Sequence, residues 1–396
     1  MVKSPLVLIA LFLVQTIANA QVTKVGNDTL IDIGCWNVEW FGDNTNGPDD
    51  ETTQYNNVKN IIQKTDVDVW GLCEVSSNST FDGLLTELTA YNGVNSVFSQ
   101  TQKMAMIWKK SAFDLISFQN ISDPSESNFG FAFAGRPPLE VVLKTRGFAI
   151  TDTIYFYVVH MKANSGSADQ DSYNRRKDAS TYLKKYLDNA ARRNRKVVVL
   201  GDYNDDIDQS VVSISGSPLP TPFANFINDS AKYFFPSLRL SLNNETSYPG
   251  FNPPNMIDHQ LNSRTLSDSF YVKNSAAVLK QLSTQVTNYT NTTSDHYPVL
   301  ARYNFKRVLK TGISEATTMQ KVQVYPNPAS NKLRLQQVEK VTHVAIFNQM
   351  GQLVFQTETL ADNNEVTIPE QLADGLYVLV VQTPQGLAQT KFQVVR

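Results

Sequence analysis

Residues 31–305 alternate short apolar runs with amphipathic stretches, and this alternation restricts the fold more than any other feature of the chain. The apolar runs predict strands at 31–38, 67–75, 104–109, 139–143, 154–160, 197–202, 256–262 and 296–305. Helical spacing of apolar residues predicts helices at 55–63 and 171–193. Many strands with interspersed helices indicate two packed β-sheets with helices on the outside.

The first twenty residues predict an export signal. Lys3 gives the positive start, residues 6–14 form the apolar run, and Ala18-Asn19-Ala20 is a small-residue cleavage site. The mature chain is therefore expected to begin at Gln21. Because the apolar run is shorter than the roughly 20 residues of a membrane span, and no later run is long enough, we expect export without stable insertion into a membrane.

The pattern changes near residue 306. Residues 306–320 are rich in Thr, Ser, Gly and Ala, which predicts a linker, and the short β-rich runs that follow predict a small β-sandwich. The expected organisation is a signal at 1–20, a main domain at 21–305, a linker at 306–320 and a C-terminal domain at 321–396.

Charge and cysteine content limit the possible partners. A net charge of -2 gives no overall attraction to polyanions, so nucleic-acid binding would need a local basic surface. Helix 171–193 carries a basic face, which predicts either such a surface or an ordinary solvated face. Cys35 and Cys73 do not make a disulfide scaffold. Strand alternation predicts that their sulfurs point apart if Asn37 and Glu74 converge.

Polar side chains follow the predicted strands at the point where each strand ends. They are Asn37 and Glu39, Glu74, His160 with Lys162, Asp202 with Asn204, and Asp295 with His296; Asp258, which also lies at a predicted strand, makes a sixth position. Each alone is typical of a cap or a turn, but together they would be costly to bury without partners or a cation. Carboxylate and amide oxygens favour Mg²⁺ or Mn²⁺, with Ca²⁺ as an alternative. The four scattered histidines make Zn²⁺ the weaker alternative.

These residues also carry a resemblance to a known family. The motifs are Trp36-Asn37-Val38-Glu39-Trp40-Phe41-Gly42, Leu72-Cys73-Glu74-Val75, Val159-His160-Met161-Lys162, Leu200-Gly201-Asp202-Tyr203-Asn204, Ile257-Asp258-His259 and Ser294-Asp295-His296-Tyr297-Pro298-Val299. In this order they resemble the motifs of the endonuclease/exonuclease/phosphatase superfamily. The resemblance implies a four-layer α/β sandwich, two packed mixed β-sheets flanked by helices, with the catalytic site at one edge of the sheets.

The resemblance also implies roles for individual residues. The implied metal ligands are Glu74, Asn37 and Asp295; the implied catalytic residues are His160, Asp202, Asn204, Asp258 and His296; the implied substrate-binding residues are Arg136, Lys162 and Arg176. Arg136 resembles a phosphate-binding arginine of the pancreatic-type deoxyribonucleases, whereas Lys162 and Arg176 resemble positions in secreted bacterial nucleases. A tyrosine that touches phosphate in some relatives has no counterpart in residues 99–103.

The C-terminal region carries a second resemblance. Tyr325-Pro326-Asn327-Pro328-Ala329-Ser330, Asn348-Gln349-Met350-Gly351 and Gly375-Leu376-Tyr377 resemble the type A sorting domain of type IX secretion in Bacteroidetes. This implies an all-β, immunoglobulin-like module that is recognised by the type IX machinery, and a protein that is secreted or attached to the cell surface. The alternative is a generic adhesive β-domain.

The sequence therefore predicts a secreted, Mg²⁺-dependent phosphodiesterase, a nuclease that acts as a monomer on extracellular DNA or RNA. One alternative is a phosphatase or phospholipase C-like enzyme acting on a phospholipid, an inositol phosphate or another phosphomonoester. Residues 129–133, with three phenylalanines, are its candidate membrane-touching loop. A further alternative is a surface binding protein that has lost catalysis.

Overall fold

The computed structural model describes residues 21–250, 255–306, 320–338, 340–349, 352–357, 364–383 and 386–396. The predicted signal at 1–20 and residues 307–319 of the predicted linker lie outside the described residues. The chain divides into two compact units, Met1–Leu309 and Lys310–Arg396. Among the described residues no helix is both long and apolar enough to cross a membrane.

The first unit mixes strands and helices along its length. Its strands are β1 (Ile31–Phe41), β2 (Val69–Val75), β3 (Tyr91–Asn95), β4 (Lys103–Lys109), β5 (Phe113–Asn120), β6 (Leu139–Thr145), β7 (Thr153–His160), β8 (Lys196–Asp202), β9 (Ser213–Ile214), β10 (Ser217–Pro218), β11 (Tyr233–Phe234), β12 (Asp258–Ser263), β13 (Ala277–Val278) and β14 (Val299–Tyr303). Its helices are α1 (Glu51–Thr65), α2 (Asn78–Glu87), α3 (Phe129–Ala132), α4 (Gln170–Asp188), α5 (Ala224–Ile227), α6 (Leu238–Leu242), α7 (Arg264–Phe270), α8 (Leu282–Gln285) and α9 (Tyr289–Thr292).

Two six-stranded mixed sheets form the centre of this unit. The first has the order β13-β14-β1-β2-β4-β3 and the second the order β11-β12-β8-β7-β6-β5. Each sheet has one parallel pair at its middle, β1 with β2 and β7 with β8, while the other pairs are antiparallel. The two parallel pairs bring four strand ends to a common edge, where the predicted polar residues follow the strands.

Alternation along the central strands explains the layers. Ile33 of β1 faces the other sheet, and it packs in one core with Phe156 and Leu200 of the second sheet. Trp36 of β1 faces outward and packs with Ile61 of α1. On the far side, outward residues of β7 and β8 pack against the apolar stripe of α4, which comprises Ala179, Leu183, Tyr186 and Leu187. Both faces of each sheet are covered, so the strands read as continuous apolar runs. The predicted four-layer sandwich is confirmed.

The two cysteines show where strand alternation fails as a guide. Glu74 has a left-handed φ of 62°, and the pairing register of β2 shifts between Leu72 and Val75. Glu74 therefore turns back toward Asn37 while Cys73 stays on the inward face with Cys35, so the prediction that the sulfurs point apart is wrong. Both cysteines are buried and free. Each thiol instead donates to a carbonyl of the second sheet, Cys35 to His259 at 3.6 Å and Cys73 to Val159 at 3.2 Å.

The second unit is entirely β among its described residues. Its strands are β15 (Gln320–Lys321), β16 (Gln323–Tyr325), β17 (Lys332–Gln336), β18 (His343–Phe347), β19 (Leu353–Thr357), β20 (Glu365–Thr367), β21 (Gly375–Thr383) and β22 (Gly386–Val394). They form a sheet of order β15-β22-β21-β18-β19 and a smaller sheet of order β16-β17-β20. Leu333, Ile346 and Phe392 lie in the core that the two sheets share. The predicted all-β domain is confirmed, whereas its immunoglobulin-like topology stays a prediction.

Candidate active site

The candidate site lies where β1, β2, β7 and β8 end. His160 at the end of β7 pairs in register with Asp202 at the end of β8, and Asp202 pairs in register with Asp258 at the start of β12. The second sheet thus holds three site residues in one row across neighbouring strands. Asn37 links this row to the first sheet, because its Nδ2 donates to Glu74 Oε1 at 3.1 Å and to Asp202 Oδ2 at 3.0 Å.

The backbone near Glu74 departs from regular strand geometry, and this departure directs the Glu74 side chain toward the site. Glu74, Glu39 and Trp40 all have positive φ, at 62°, 49° and 49°. The bulge that these angles create lets the Trp40 amide donate to Glu74 Oε2 at 3.1 Å. Burial raises the pKa of Glu74, although the hydrogen bond from Asn37 opposes this. Left-handed conformations of non-glycine residues are costly, and they concentrate where a side chain must be aimed.

Three carboxylates gather on the first-sheet side of the site, and we call Glu39, Glu74 and Asp295 the acidic cluster. Glu39 Oε2 accepts from the Asp295 amide at 2.9 Å. Burial, with the charges of Asp295 and Glu74, raises the pKa of Glu39 to about 7. Within the described residues, no Lys or Arg forms an ion pair with these carboxylates. Mutually repelling oxygens without a basic partner fit a hard cation, and Asn37 Oδ1, which accepts from the Glu39 amide at 3.0 Å, keeps a second lone pair.

A second group of possible ligands lies deeper. One ligand atom from each of Asp202, Asp258 and His296 falls within 4.8 Å of the others. However, His296 Nδ1 and Asp258 Oδ2 lie 2.7 Å apart and make a hydrogen bond, and both Asp202 oxygens already accept hydrogen bonds. Both oxygens of Glu74 also accept hydrogen bonds, but the acidic cluster is the better candidate cation site because it combines three carboxylates that have no Lys or Arg partner among the described residues.

His296 and Asp258 form a buried acid–base pair. The His296 amide donates to Ser294 Oγ at 3.0 Å, and the Asp258 amide donates to Ser247 Oγ at 3.0 Å, which fixes both backbones. Burial alone would lower the pKa of His296, but the charges of Asp258 and Asp295 outweigh it and hold this pKa well above the usual value. His296 is therefore cationic at neutral pH, and its bond to Asp258 through Nδ1 leaves Nε2 as the outward donor.

Asp202 is held from three directions. The Asn204 amide donates to Oδ1 at 2.8 Å, and the side chains of Asn204 and Asn37 donate to Oδ2 at 3.1 and 3.0 Å. Burial, with the nearby charge of Asp258, raises the pKa of Asp202 to about 7. His160 Nε2 lies 3.5 Å from Glu74 Oε1 and 3.6 Å from Asp202 Oδ2. Burial lowers the pKa of His160 well below its usual value, so this histidine is neutral.

Two of the predicted substrate-binding cations, Arg136 and Lys162, lie beside the row that His160, Asp202 and Asp258 form. Arg136 is 6% exposed, and its Nη2 donates to the Met161 carbonyl at 2.8 Å while its Nη1 donates to Gln102 Oε1 at 2.7 Å. Its Nε is buried without a hydrogen-bond partner, and the charges of Glu74 and Asp202 act on the guanidinium. An unsatisfied donor beside the row of His160, Asp202 and Asp258 suits an anionic group of a ligand. We call these three residues the catalytic row. Lys162 is half-buried, and its Nζ donates to the Ala163 carbonyl at 2.7 Å.

The prediction that Arg176 binds substrate is wrong. Arg176 is fully buried, with 0% exposure, and its guanidinium forms an ion pair with Asp205 at 2.8 Å. Its Nη1 donates to the Lys162 carbonyl and to Asn164 Oδ1, both at 2.7 Å. Arg176 therefore fastens α4 to the loop after β7 and cannot reach a substrate. Arg176 lies three residues before Ala179 and seven before Leu183, so it falls on the core-facing stripe of α4, and helical spacing was the signal that could have shown this.

Tyr248 is a site residue that the sequence did not reveal. Its ring centroid lies 4.7 Å from that of His296. Burial raises the pKa of Tyr248 to about 12, with Asp295, Glu39 and Asp202 adding to the effect. The tyrosine that the family resemblance implies has no counterpart in residues 99–103, whereas Tyr248 comes from the segment before β12. A bridge between Tyr248 and Asn255 and a hydrogen bond from the Tyr297 amide to the Ser247 carbonyl at 2.7 Å hold this segment, and neither contact has a local sequence signal.

Comparisons with known proteins agree with this architecture. Residues 34–296 match the model of the endonuclease/exonuclease/phosphatase family, and residues 323–396 match that of the secretion system C-terminal sorting domain. No curated protein matches the chain by sequence.

Solved structures with the same fold are distant in sequence. TDP2 of D. rerio complexed with single-strand DNA product is 13% identical with a TM-score of 0.51, over 70% of this chain and 100% of that chain. A humanized D. rerio TDP2 is 13% identical with a TM-score of 0.50, over 69% and 99%. An endonuclease/exonuclease/phosphatase family protein from Bacteroides thetaiotaomicron is 13% identical with a TM-score of 0.48, over 69% and 98%. Such identities show the fold alone. With the family match over residues 34–296 and the ordered polar row at the sheet edge, the chain belongs to the endonuclease/exonuclease/phosphatase family.

Proposed function

We propose that the chain is an exported, metal-dependent phosphodiesterase that hydrolyses extracellular nucleic acid, DNA or RNA. The observation that carries the proposal is the double hydrogen bond of Asn37, which joins the acidic cluster to the His160, Asp202 and Asp258 row. This contact supports the proposal, because it brings the residues proposed to hold a cation, to act as the base and to serve as the cationic histidine into one small region. Hydrolysis of a phosphodiester needs all three functions together.

Glu74, Asn37 and Asp295 are the residues that would hold the cation, with Glu39 beside them. Their oxygen donors suit Mg²⁺, with Mn²⁺ or Ca²⁺ as alternatives. When bound, the cation would neutralise charge on the nonbridging oxygens of the phosphate.

The chain's own residues supply the proton chemistry. Asp202, held by Asn204 and Asn37, orients the attacking water and accepts its proton. His296, kept cationic by Asp258, donates a hydrogen bond from Nε2 to the phosphate and gives its proton to the leaving ester oxygen as the P–O bond to that oxygen breaks. Neutral His160 offers a further ring N–H to the same oxygens. No covalent intermediate on the protein is needed.

Two observations favour nucleic acid over a lipid substrate. Arg136 and Lys162 place positive charge beside the row, which suits a phosphate backbone. The candidate membrane-touching loop buries Phe129 and Phe133, so only Phe131 is exposed. One aromatic ring is a weak membrane anchor. TDP2 of D. rerio, which has this fold, is described with a single-strand DNA product, which adds support.

The sorting domain at 323–396 implies export and then secretion or attachment at the surface. We propose that the type IX machinery recognises this unit and that the first unit acts as a monomer outside the cell.

A substrate panel tests the proposed function. The full chain is assayed with Mg²⁺ and with EDTA on single- and double-stranded DNA, RNA, phospholipid vesicles, inositol phosphates and p-nitrophenyl phosphate. We expect Mg²⁺-dependent cleavage of nucleic acid and little turnover of the others. Hydrolysis confined to vesicles or to phosphomonoesters would replace the nuclease assignment, and no hydrolysis of any ester would favour a binding protein.

A further inference from the structure

Phe131 stands out among the aromatic residues of the first unit. It is 60% exposed, whereas its neighbours Phe129 and Phe133 are buried. The guanidinium carbon of Arg175 lies 4.1 Å from the centroid of the Phe131 ring. Nε and Nη2 of Arg175 also donate to the Phe131 carbonyl at 3.1 and 2.7 Å. These bonds hold the guanidinium against the ring while most of the ring surface stays open to solvent.

This pair lies close to the catalytic row. The segment that carries Phe131 continues into Arg136, through hydrogen bonds from the Gly135 amide to the Gly130 carbonyl at 2.7 Å and from the Arg136 amide to the Phe133 carbonyl at 2.9 Å. Arg136 in turn donates to the carbonyl of Met161, the residue that follows His160. Phe131 is therefore joined to the catalytic row by a short chain of direct contacts.

Positively charged side chains link Phe131 to the catalytic row. Lys162 follows Met161, and Arg175 precedes Arg176, whose guanidinium binds the Lys162 carbonyl at 2.7 Å. Burial lowers the pKa of Lys162, and the charges of Arg175 and Arg136 lower it further. The nearest opposing charge, Asp169, accepts from the Ser172 and Ser165 amides at 3.0 and 2.7 Å and caps α4. Arg136, Lys162 and Arg175 thus form a line of like charges that an anionic chain would relieve.

We propose that Phe131 and Arg175 form a nucleotide-binding subsite beside the scissile phosphate. A nucleobase stacks on the open surface of Phe131, and Arg175 with Lys162 binds the adjoining backbone phosphates. The proposal rests on the proposed function and narrows its substrate class. A base within a duplex is already stacked and paired, so it cannot reach Phe131 without losing those contacts; the subsite therefore selects single-stranded or frayed nucleic acid.

A lipid surface is the less favoured occupant of the same place. Phe131 projects from a four-residue helix next to cations that would have to stay in water. Stacking, in contrast, uses the ring and the charges at the same time.

Binding measurements on the full chain test the subsite without catalysis. A fluorescein-labelled single-stranded DNA dodecamer is titrated at low salt in EDTA, and anisotropy is recorded. We expect Phe131→Ala to weaken binding about tenfold and Phe131→Trp to restore it. Phe118→Ala is the matched control, because Phe118 is 42% exposed on β5 and has no cation over its ring in the described part of the chain. Phe131→Ala binding as tightly as Phe118→Ala would overturn the proposal.

Salt dependence tests the contribution of Arg175. Arg175→Ala is expected to reduce the slope of log Kd against log salt by about 0.7, the value for one phosphate contact on a single strand. Lys177→Ala, an exposed cation on the same helix, should leave the slope unchanged. Equal slopes in all three proteins would overturn the phosphate contact.

Two further measurements separate this inference from the proposed function. Binding that depends on Phe131, in a chain that does not hydrolyse bis(p-nitrophenyl) phosphate, supports the subsite and refutes the activity. Hydrolysis of that ester, by a chain without measurable affinity for the dodecamer, refutes the subsite alone. Loss of binding to phosphatidylcholine–phosphatidylglycerol vesicles in Phe131→Ala, with dodecamer binding intact, would assign the ring to lipid and also refute it.

Discussion

The two sheets bring opposite chemistry to their shared edge. The strand ends of the first sheet carry Asn37, Glu39 and Glu74, and the acidic cluster there has no ion pair with Lys or Arg in the described part of the chain. The second sheet and its loops carry His160, Arg136 and Lys162 beside Asp202 and Asp258. The first side gathers three carboxylates without a Lys or Arg partner, whereas the second sets two carboxylates beside two cations, Arg136 and Lys162.

This difference suggests a division of labour. In the proposed mechanism the first sheet would hold the cation, and the second sheet, together with His296, would hold the phosphate and move the protons. Substitutions at four residues can break or sharpen the division. Those at Glu74, Asp258 and Arg136 each alter one side and predict what happens to the property of the other.

Glu74→Gln should have the largest effect. It removes one charge from the acidic cluster but keeps the size of the side chain and an acceptor for the Trp40 amide. We expect kcat to fall about 10³-fold, comparable to the loss of a strong transition-state contact, and calorimetric Mn²⁺ binding to disappear. The unfolding temperature in EDTA should not fall, because a buried carboxylate with a raised pKa is removed. Glu87→Gln, on α2, is the control. Undiminished Mn²⁺ affinity in Glu74→Gln would break the division.

Asp258→Asn alters the second sheet at nearly constant volume. The neutral amide would no longer stabilise the cationic form of His296, so burial would favour the neutral ring. We expect kcat to fall roughly 10²-fold, the usual contribution of general acid catalysis. Mn²⁺ affinity should equal that of the wild type, as measured by the same calorimetry. A parallel loss of metal binding would mean that the Asp202, Asp258 and His296 group holds the cation instead.

Arg136→Lys keeps the charge but loses the fork that reaches Gln102 and the Met161 carbonyl. We expect KM for a nucleic-acid substrate to rise about tenfold, while kcat and Mn²⁺ affinity stay near wild-type values. Steady-state kinetics at saturating Mg²⁺ measure this. If kcat falls and KM does not change, Arg136 serves the reaction step and not the binding of phosphate.

Tyr248 should give the smallest effect. Tyr248→Phe keeps the ring that packs on His296 and removes only the hydroxyl, so we expect kcat to fall a few-fold, as for one weakened hydrogen bond to a charged group. Tyr248→Ala also removes the ring that packs on His296, so its kcat should fall further. Equal activities for the two variants would show that the ring does not position His296.

Strand ends were the part of the site that the sequence could predict. Apolar runs that stop at a charged or amide residue identified Asn37, Glu74, His160 and Asp202, because parallel strands bring their ends to one edge. Asp258 lies at the start of the antiparallel β12 and was identified by the family motif. Two packed sheets follow from the same runs, since strands apolar on both faces need cover on both faces.

Departures from regular geometry were the part that the sequence could not predict. The bulge at Glu74 reverses the expected directions of Cys73 and Glu74, and no local pattern announces a left-handed glutamate. Arg176 and Arg175 are neighbours on one helix, yet one is buried and the other lies on Phe131. Tyr248 lies in an irregular segment that a long-range contact holds near His296, the hydrogen bond from the Tyr297 amide to the Ser247 carbonyl at 2.7 Å. Each of these depends on packing between elements far apart in the chain.

The left-handed residues of the site have a consequence for anyone who wishes to make this chain more heat-resistant. Glu39, Trp40, Glu74 and Asn204 each hold a backbone shape that glycine adopts freely and that other residues adopt at about 1 kcal/mol or more. A screen for improved melting temperature would therefore reward glycine at these positions. The variants with the highest melting temperature would therefore be well folded but catalytically inactive.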